Sequence, residues 1–144
     1  MQPVISYYEN GTKETEQWYL DDYLHRLDGP AYIVWYENGE KKLEEWFLYY
    51  DIHRLDEPAF TEWHENGKRK SEKWYKNDKL HRLDGPACTD WYENGEKEFE
   101  IWYNNGKLHR VDEPAWIEWH KSGKKKIEKW YKNGNLQYMI KYRK

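Results

Sequence analysis

Four times along this sequence a histidine, an arginine and an aspartate fall within four residues: His25-Arg26-Leu27-Asp28, His53-Arg54-Leu55-Asp56, His81-Arg82-Leu83-Asp84 and His109-Arg110-Val111-Asp112. An imidazole, a guanidinium and a carboxylate in one stretch are the ingredients of general acid–base chemistry and of anion binding. Catalysis would also need a nucleophile or a metal ion, and neither stands beside the motif. Three strands per period, at about 4.8 Å each, would hold equivalent histidines about 14 Å apart, far beyond the roughly 2 Å bonds of a shared zinc site. The single cysteine, Cys88, occupies a position filled by Tyr32, Phe60 and Trp116 elsewhere, which suits an apolar slot better than a nucleophile. No catalytic residue, metal or cofactor is therefore expected, and the chain does not read as an enzyme.

Binding is the chemistry that remains. Candidate ligand-binding residues are His25, Arg26, His53, Arg54, His81, Arg82, His109 and Arg110, with Trp35, Trp63, Trp91 and Trp119 as stacking platforms. The competing expectation is architectural. A motif that recurs with the period of the fold is what a repeated packing problem produces, with each arginine on a carboxylate and each histidine against tryptophan.

The elements that must position these residues follow from the period. The motif histidines recur every 28 residues, and so do Trp18, Trp46, Trp74, Trp102 and Trp130 and Glu16, Glu44, Glu72, Glu100 and Glu128. A single repeat domain, residues 1–144, thus contains five units: 2–29, 30–57, 58–85, 86–113 and 114–141. A second rhythm is superimposed: DGPA with WYENG alternates with DEPA and WHENG or WHKSG. Within a unit, Asn94-Gly95 and Asn105-Gly106 sit between β-rich runs and predict two type I′ hairpins, hence a three-stranded meander. That register pairs Thr89 with Glu100, Trp91 with Glu98 and Trp102 with both Ala87 and His109. It puts Ala87, Trp91, Glu100, Trp102, His109 and Val111 on one face, and Tyr92, Phe99, Ile101, Tyr103, Leu108 and Arg110 on the other. The fold class expected is all-β, an elongated, twisted antiparallel meander of five three-stranded repeats, curled to bury an aromatic face. In the last unit Leu136-Gln-Tyr-Met-Ile140 replaces the charged motif, as a terminal cap would. The Glu that recurs on the Trp/His face needs a donor, and a His ring, a Trp N–H or an arginine can supply it.

Composition limits the core. Hydrophobic residues make up 38% and aromatics 19%, with ten Trp and fourteen Tyr, so the interior must be thin and aromatic. Net charge is −3, but nine Lys and Arg face only Glu118 and Glu128 after Pro114, a balance of +7 that leaves −10 on the first 113 residues. A basic end on an acidic body could draw a second copy head to tail through Lys124, Lys125 or Lys126, giving a homo-oligomer sensitive to salt. No apolar run is long enough to cross a bilayer, and the opening residues lack a secretory pattern, so no transmembrane segment and a cytoplasmic location are expected.

The pattern W-Y-x-N-G, E-x-W-Y-x-N-G-K-L-H-R-x-D-G-P-A resembles MORN-type hairpin repeats, in particular divergent YxNG variants of bacterial antitoxin-like proteins and of phage and giant-virus proteins. The resemblance spans nearly the whole chain. It implies an extended antiparallel β scaffold that binds a protein partner, without catalysis. The alternative is a protein that binds or sequesters a small anionic or nucleotide ligand through Trp and Tyr platforms with Arg and His, as in viral counter-defence. A glycan binder is a further class; nucleic acid is not an expected partner.

Overall fold

The computed structural model describes residues 2–143, all of them strand, turn or loop. The first unit supplies β1 (Val4–Tyr7), β2 (Lys13–Gln17), β3 (Tyr19–Leu20) and β4 (Tyr23–Leu24). The second supplies β5 (Tyr32–Trp35), β6 (Lys41–Glu45), β7 (Phe47–Leu48) and β8 (Asp51–Ile52). The third holds β9 (Phe60–Trp63), β10 (Arg69–Lys73), β11 (Tyr75–Lys76) and β12 (Lys79–Leu80). The fourth holds β13 (Cys88–Trp91), β14 (Lys97–Ile101), β15 (Tyr103–Asn104) and β16 (Lys107–Leu108). The fifth closes with β17 (Trp116–Trp119), β18 (Lys125–Lys132) and β19 (Asn135–Lys141).

The expected elongated antiparallel meander is present, but only two strands of each of the first four units enter the main sheet, with three from the fifth. Its eleven strands run β1-β2-β5-β6-β9-β10-β13-β14-β17-β18-β19, and four two-stranded hairpins, β3-β4, β7-β8, β11-β12 and β15-β16, stand beside it. The cause is proline. Trp46 still donates its N–H to Ala59 O at 2.8 Å, but Pro58 has no N–H to continue the ladder. Past this point each strand pairs within its own hairpin, His53 N–H returning to Trp46 O at 3.0 Å, and the next unit is reached only by isolated bonds such as Arg54 N–H to Tyr75 O at 3.5 Å. With two strands per unit instead of three, the repeat advances about 10 Å rather than about 14 Å. In the fifth unit β18 and β19, uninterrupted by a Pro-Ala step, run on as one long hairpin with Trp130 stacked on Tyr138, ring centroids 4.2 Å apart.

The two Asn-Gly turns differ. Asn105 and Gly106 both have positive φ, as a type I′ turn requires, and Asp21-Asp22, Asn77-Asp78 and Asn133-Gly134 do the same. At the first turn only the glycine does: Gly95 has φ +95° and bonds back to Tyr92 O, while Tyr92 N–H bonds to Glu96 O. That is a type I turn closed by a glycine bulge, which shifts the register so that Trp91 faces Lys97 instead of Glu98; the Thr89–Glu100 pair is as expected.

The core is thin. Ala31, Ala59, Ala87 and Ala115 are completely buried where β-strand and proline meet, joined by Ile33, Thr61, Thr89 and Ile117 along the middle of the sheet. Among the described residues no large side chain is fully buried, and the accessible surface of 9107 Å² exceeds the about 8,000 Å² of a compact monomer of 18.0 kDa. Among the described residues no helix is long and apolar enough to cross a membrane.

Candidate functional site

The recurring glutamates form a row across one face of the sheet, alternating with Ile33, Thr61, Thr89 and Ile117. Each pairs with the cation three residues earlier: Lys13–Glu16, Lys41–Glu44, Arg69–Glu72, Lys97–Glu100 and Lys125–Glu128. In the first unit the network is complete. Trp18 Nε1 donates to Glu16 Oε1 at 2.7 Å, and Arg26 Nη1 lies 3.6 Å from the same oxygen. Burial works to raise the Glu16 carboxyl, but the hydrogen bonds from Lys13 and Trp18 and the charges of Lys13 and Arg26 hold it below its ordinary value of 4.5. Glu128, which burial also pushes up, is held low by Lys125 and Tyr142. A depressed carboxyl stabilises the fold above its unfolded value. The contribution of these two is therefore expected in full at neutral pH and lost as pH falls below about 4.5 through the folded values, a loss that acid titration of the unfolding midpoint reads.

Each motif arginine lies over the tryptophan eight residues before it. Guanidinium carbons stand 4.2 Å (Arg26–Trp18), 3.8 Å (Arg54–Trp46), 3.9 Å (Arg82–Trp74) and 3.9 Å (Arg110–Trp102) from the ring centroids, a cation–π geometry. This moves Arg110 to the Trp102 side of the unit, against the face expected for it. The DGP and DEP variants are two ways of holding the same arginine. In DGP units Nε bonds Asp28 or Asp84 at 2.8 Å, and the guanidinium passes over Gly29 or Gly85, where an added Cβ would come within 2.7–2.9 Å of it. In DEP units the arginine turns instead to Glu57 or Glu113 and donates to Pro58 O or Pro114 O. Gly85→Glu should therefore convert one arrangement to the other with a melting temperature within about 2 °C of the parent. Gly85→Val, which blocks the guanidinium and supplies no carboxylate, should lower it by about 3–6 °C. Parallel melting curves of the two variants check this.

The histidines join units. Nδ1 of His25, His53, His81 and His109 accepts the backbone N–H of Tyr49, Asn77, Asn105 and Asn133, at 2.8, 3.3, 3.1 and 3.2 Å, each in the next unit's hairpin. A second ladder runs along the first turns. Tyr8, Tyr36 and Tyr92 hydroxyls donate to Trp35, Trp63 and Trp119 O, and His64 Nε2 bonds Trp91 O at 3.0 Å. Tyrosine and His64 thus do the same work, which is why either residue can follow the tryptophan at this turn. Asn10, Asn66 and Asn94 link their turns to the next through Glu37, Glu93 and Lys121 carbonyls; the equivalent position in the fifth unit is Ser122.

The candidate residues are therefore not gathered into one site. His and Arg lie with Trp18, Trp46, Trp74 and Trp102, which were not among the candidates. Trp35, Trp63, Trp91 and Trp119 flank the glutamate row on its opposite side, near strand cations: Lys13 Nζ is 4.9 Å from the Trp35 ring and Arg69 Cζ 5.3 Å from Trp63. What the motif leaves outside is its third residue. Leu27, Leu55, Leu83 and Val111 are 77, 73, 78 and 70% exposed, a row of apolar knobs one repeat apart. Grooves open beside them: one of about 450 Å³ lined by Leu27, Trp46, His53, Arg54 and Leu55, one by Leu83, Trp102, His109, Arg110 and Val111, and one by Val111, Trp130 and Tyr138. Sequence reasoning passed over the row because it followed charged residues, although an aliphatic residue recurring between Arg and Asp was visible. Among the described residues no cluster of His, Cys, Asp or Glu is arranged to hold a metal. Scans against protein-family models, curated proteins and solved structures find no match to this chain.

Proposed function

We propose that this chain is a non-catalytic scaffold that holds a protein partner along the row Leu27, Leu55, Leu83 and Val111. The observation that carries the reading is the division of labour inside the motif. Imidazole and guanidinium are engaged by the chain's own backbone, carboxylates and indoles, while the residue between Arg and Asp faces solvent in all four copies. The resemblance to MORN-type repeats supports the same reading. The anionic-ligand alternative is less favoured, because Arg26, Arg54, Arg82 and Arg110 each already carry a carboxylate partner.

Selection of peptides from a displayed random library tests the proposal. Binders enriched on the parent protein are expected to lose at least tenfold affinity for the double variant Leu55→Glu/Leu83→Glu, whose melting curve stays unchanged. Enriched peptides indifferent to that change, alongside saturable quenching of tryptophan fluorescence by nucleoside triphosphates, would transfer the proposal to the anionic-ligand class.

A second copy remains a proposed partner at the basic end, narrowed by two internal pairs. Lys125 and Lys126 are tied to Glu128 and Glu118, whereas β19 has one neighbour and exposes Leu136, Tyr138, Met139 and Ile140. An uncovered edge strand of this kind is a pairing template.

A further inference from the structure

We infer that the segment held along this row is proline-rich, basic and in the polyproline II conformation; the inference rests on the scaffold reading above. The argument starts from spacing. Two main-sheet strands per unit advance the array about 9.6 Å per repeat, and because the hairpins that carry the knobs are bonded unit to unit, Gly106 N–H to Leu80 O and Gly134 N–H to Leu108 O at 2.8 Å, the knobs take about the same step. A polyproline II helix rises about 3.1 Å per residue with three residues per turn, so equivalent side chains recur on one side every 9.3 Å or so. Across the three intervals from Leu27 to Val111 the mismatch accumulates to only about 1 Å. An extended strand presents same-face residues about 6.7 Å apart, which no multiple brings into step over one interval. An α-helix offers seven residues in about 10.5 Å, and falls out of step by nearly 3 Å over the same span.

The surroundings favour the same occupant. Each groove combines an aliphatic knob with an aromatic wall, Trp46 beside Leu55, Trp102 beside Val111 and Trp130 with Tyr138 at the end, the kind of surface on which proline rings pack. A polyproline II backbone makes no internal or ladder hydrogen bonds, so it can lie across loops that offer no free strand edge. Charge supplies the remainder. Beside the knobs lie Asp28, Asp56, Glu57, Asp84, Asp112 and Glu113, all exposed. Their four arginines match four of them, and Asp56 and Asp112 have no ion-pair partner among the described residues. The rim is thus acidic, and lysine or arginine spaced between prolines meets it.

The probe is an end-capped peptide of Pro-Pro-Lys triplets, titrated into the full chain and followed by calorimetry. One-to-one binding is expected, strengthening about threefold or more per triplet from two to four triplets and levelling off beyond. Inserting one glycine in each triplet, which breaks the period of three, should weaken binding at least tenfold, as should Leu55→Glu/Leu83→Glu in the protein. Equal affinity for the glycine-interrupted peptide, or binding that salt abolishes and the leucine variant does not alter, overturns the inference. If display-selected peptides bind in a leucine-dependent way while the Pro-Pro-Lys series does not bind at all, the polyproline assignment fails and the scaffold stands. If no peptide of any kind shows leucine dependence, both fail.

Discussion

Ala87→Leu is expected to destabilise the protein by about 3 kcal/mol and to separate its unfolding into two transitions. Ala87 is completely buried, its N–H bonded to Ile101 O at 2.9 Å and its carbonyl accepting from Trp74 at 2.7 Å, so both backbone groups are held on the seam between the third and fourth units. A leucine there has no void to fill. Overpacking of a well-filled core costs about 1–3 kcal/mol, and the upper end applies where backbone on both sides is pinned by ladder bonds. Because a repeat array is stabilised by nearest-neighbour interfaces, damage at one seam weakens coupling across it while leaving the outer pairs intact. Urea unfolding followed by tryptophan fluorescence reads both effects. A single transition at the parent midpoint would show that the alanine column is not the packing limit of the fold.

The second large effect concerns Cys88. Its thiol is buried on the face opposite the glutamate row, and burial, with a smaller contribution from Asp90, pushes its pKa up to about 12. At pH 8 the thiolate fraction is then about three orders of magnitude below that of an ordinary thiol near 8.5, and the thiolate is the reacting species. Alkylation of the native protein should accordingly be at least about a thousandfold slower than in 8 M urea, and Lys73, which lies close enough to lower the pKa slightly, does not reverse this. Native and unfolded rates within tenfold of each other would place Cys88 in a reactive setting and reopen a chemical role for it.

The fold was legible in the sequence to the extent that local signals were unambiguous. The 28-residue period, the strand runs and the second Asn-Gly turn all read correctly, because positive φ at two consecutive positions admits few residues. The first turn did not, since Asn-Gly also suits a type I turn with a glycine bulge, where the asparagine side chain serves the neighbouring turn instead. The exclusion of the third strand from the main sheet depends on Pro58 and its equivalents meeting a strand from another unit, a non-local event that no single-unit reading contains. For the candidate site, the expected tryptophan and arginine donors are found at Glu16 alone, in Trp18 and Arg26, and the cation three residues earlier, which serves every glutamate of the row, was overlooked. The arginine crossed to the other face because the chain breaks its alternation at Trp102, after which strand parity no longer predicts direction.

The central claim is that His and Arg of the motif fasten the array while the residue between Arg and Asp faces a partner. Thermal unfolding of His81→Ala/Arg82→Ala against Leu83→Ser tests it most directly. The double change removes an acceptor for Asn105 and a cation–π stack on Trp74, together worth about 2 kcal/mol, along with the exposed bond to Asp84, and should lower the melting temperature by roughly 5–10 °C. Leu83→Ser should leave it within about 2 °C of the parent, since the side chain is 78% exposed. The opposite pattern, an unchanged melting temperature for the double variant and a fall for Leu83→Ser, would contradict the account.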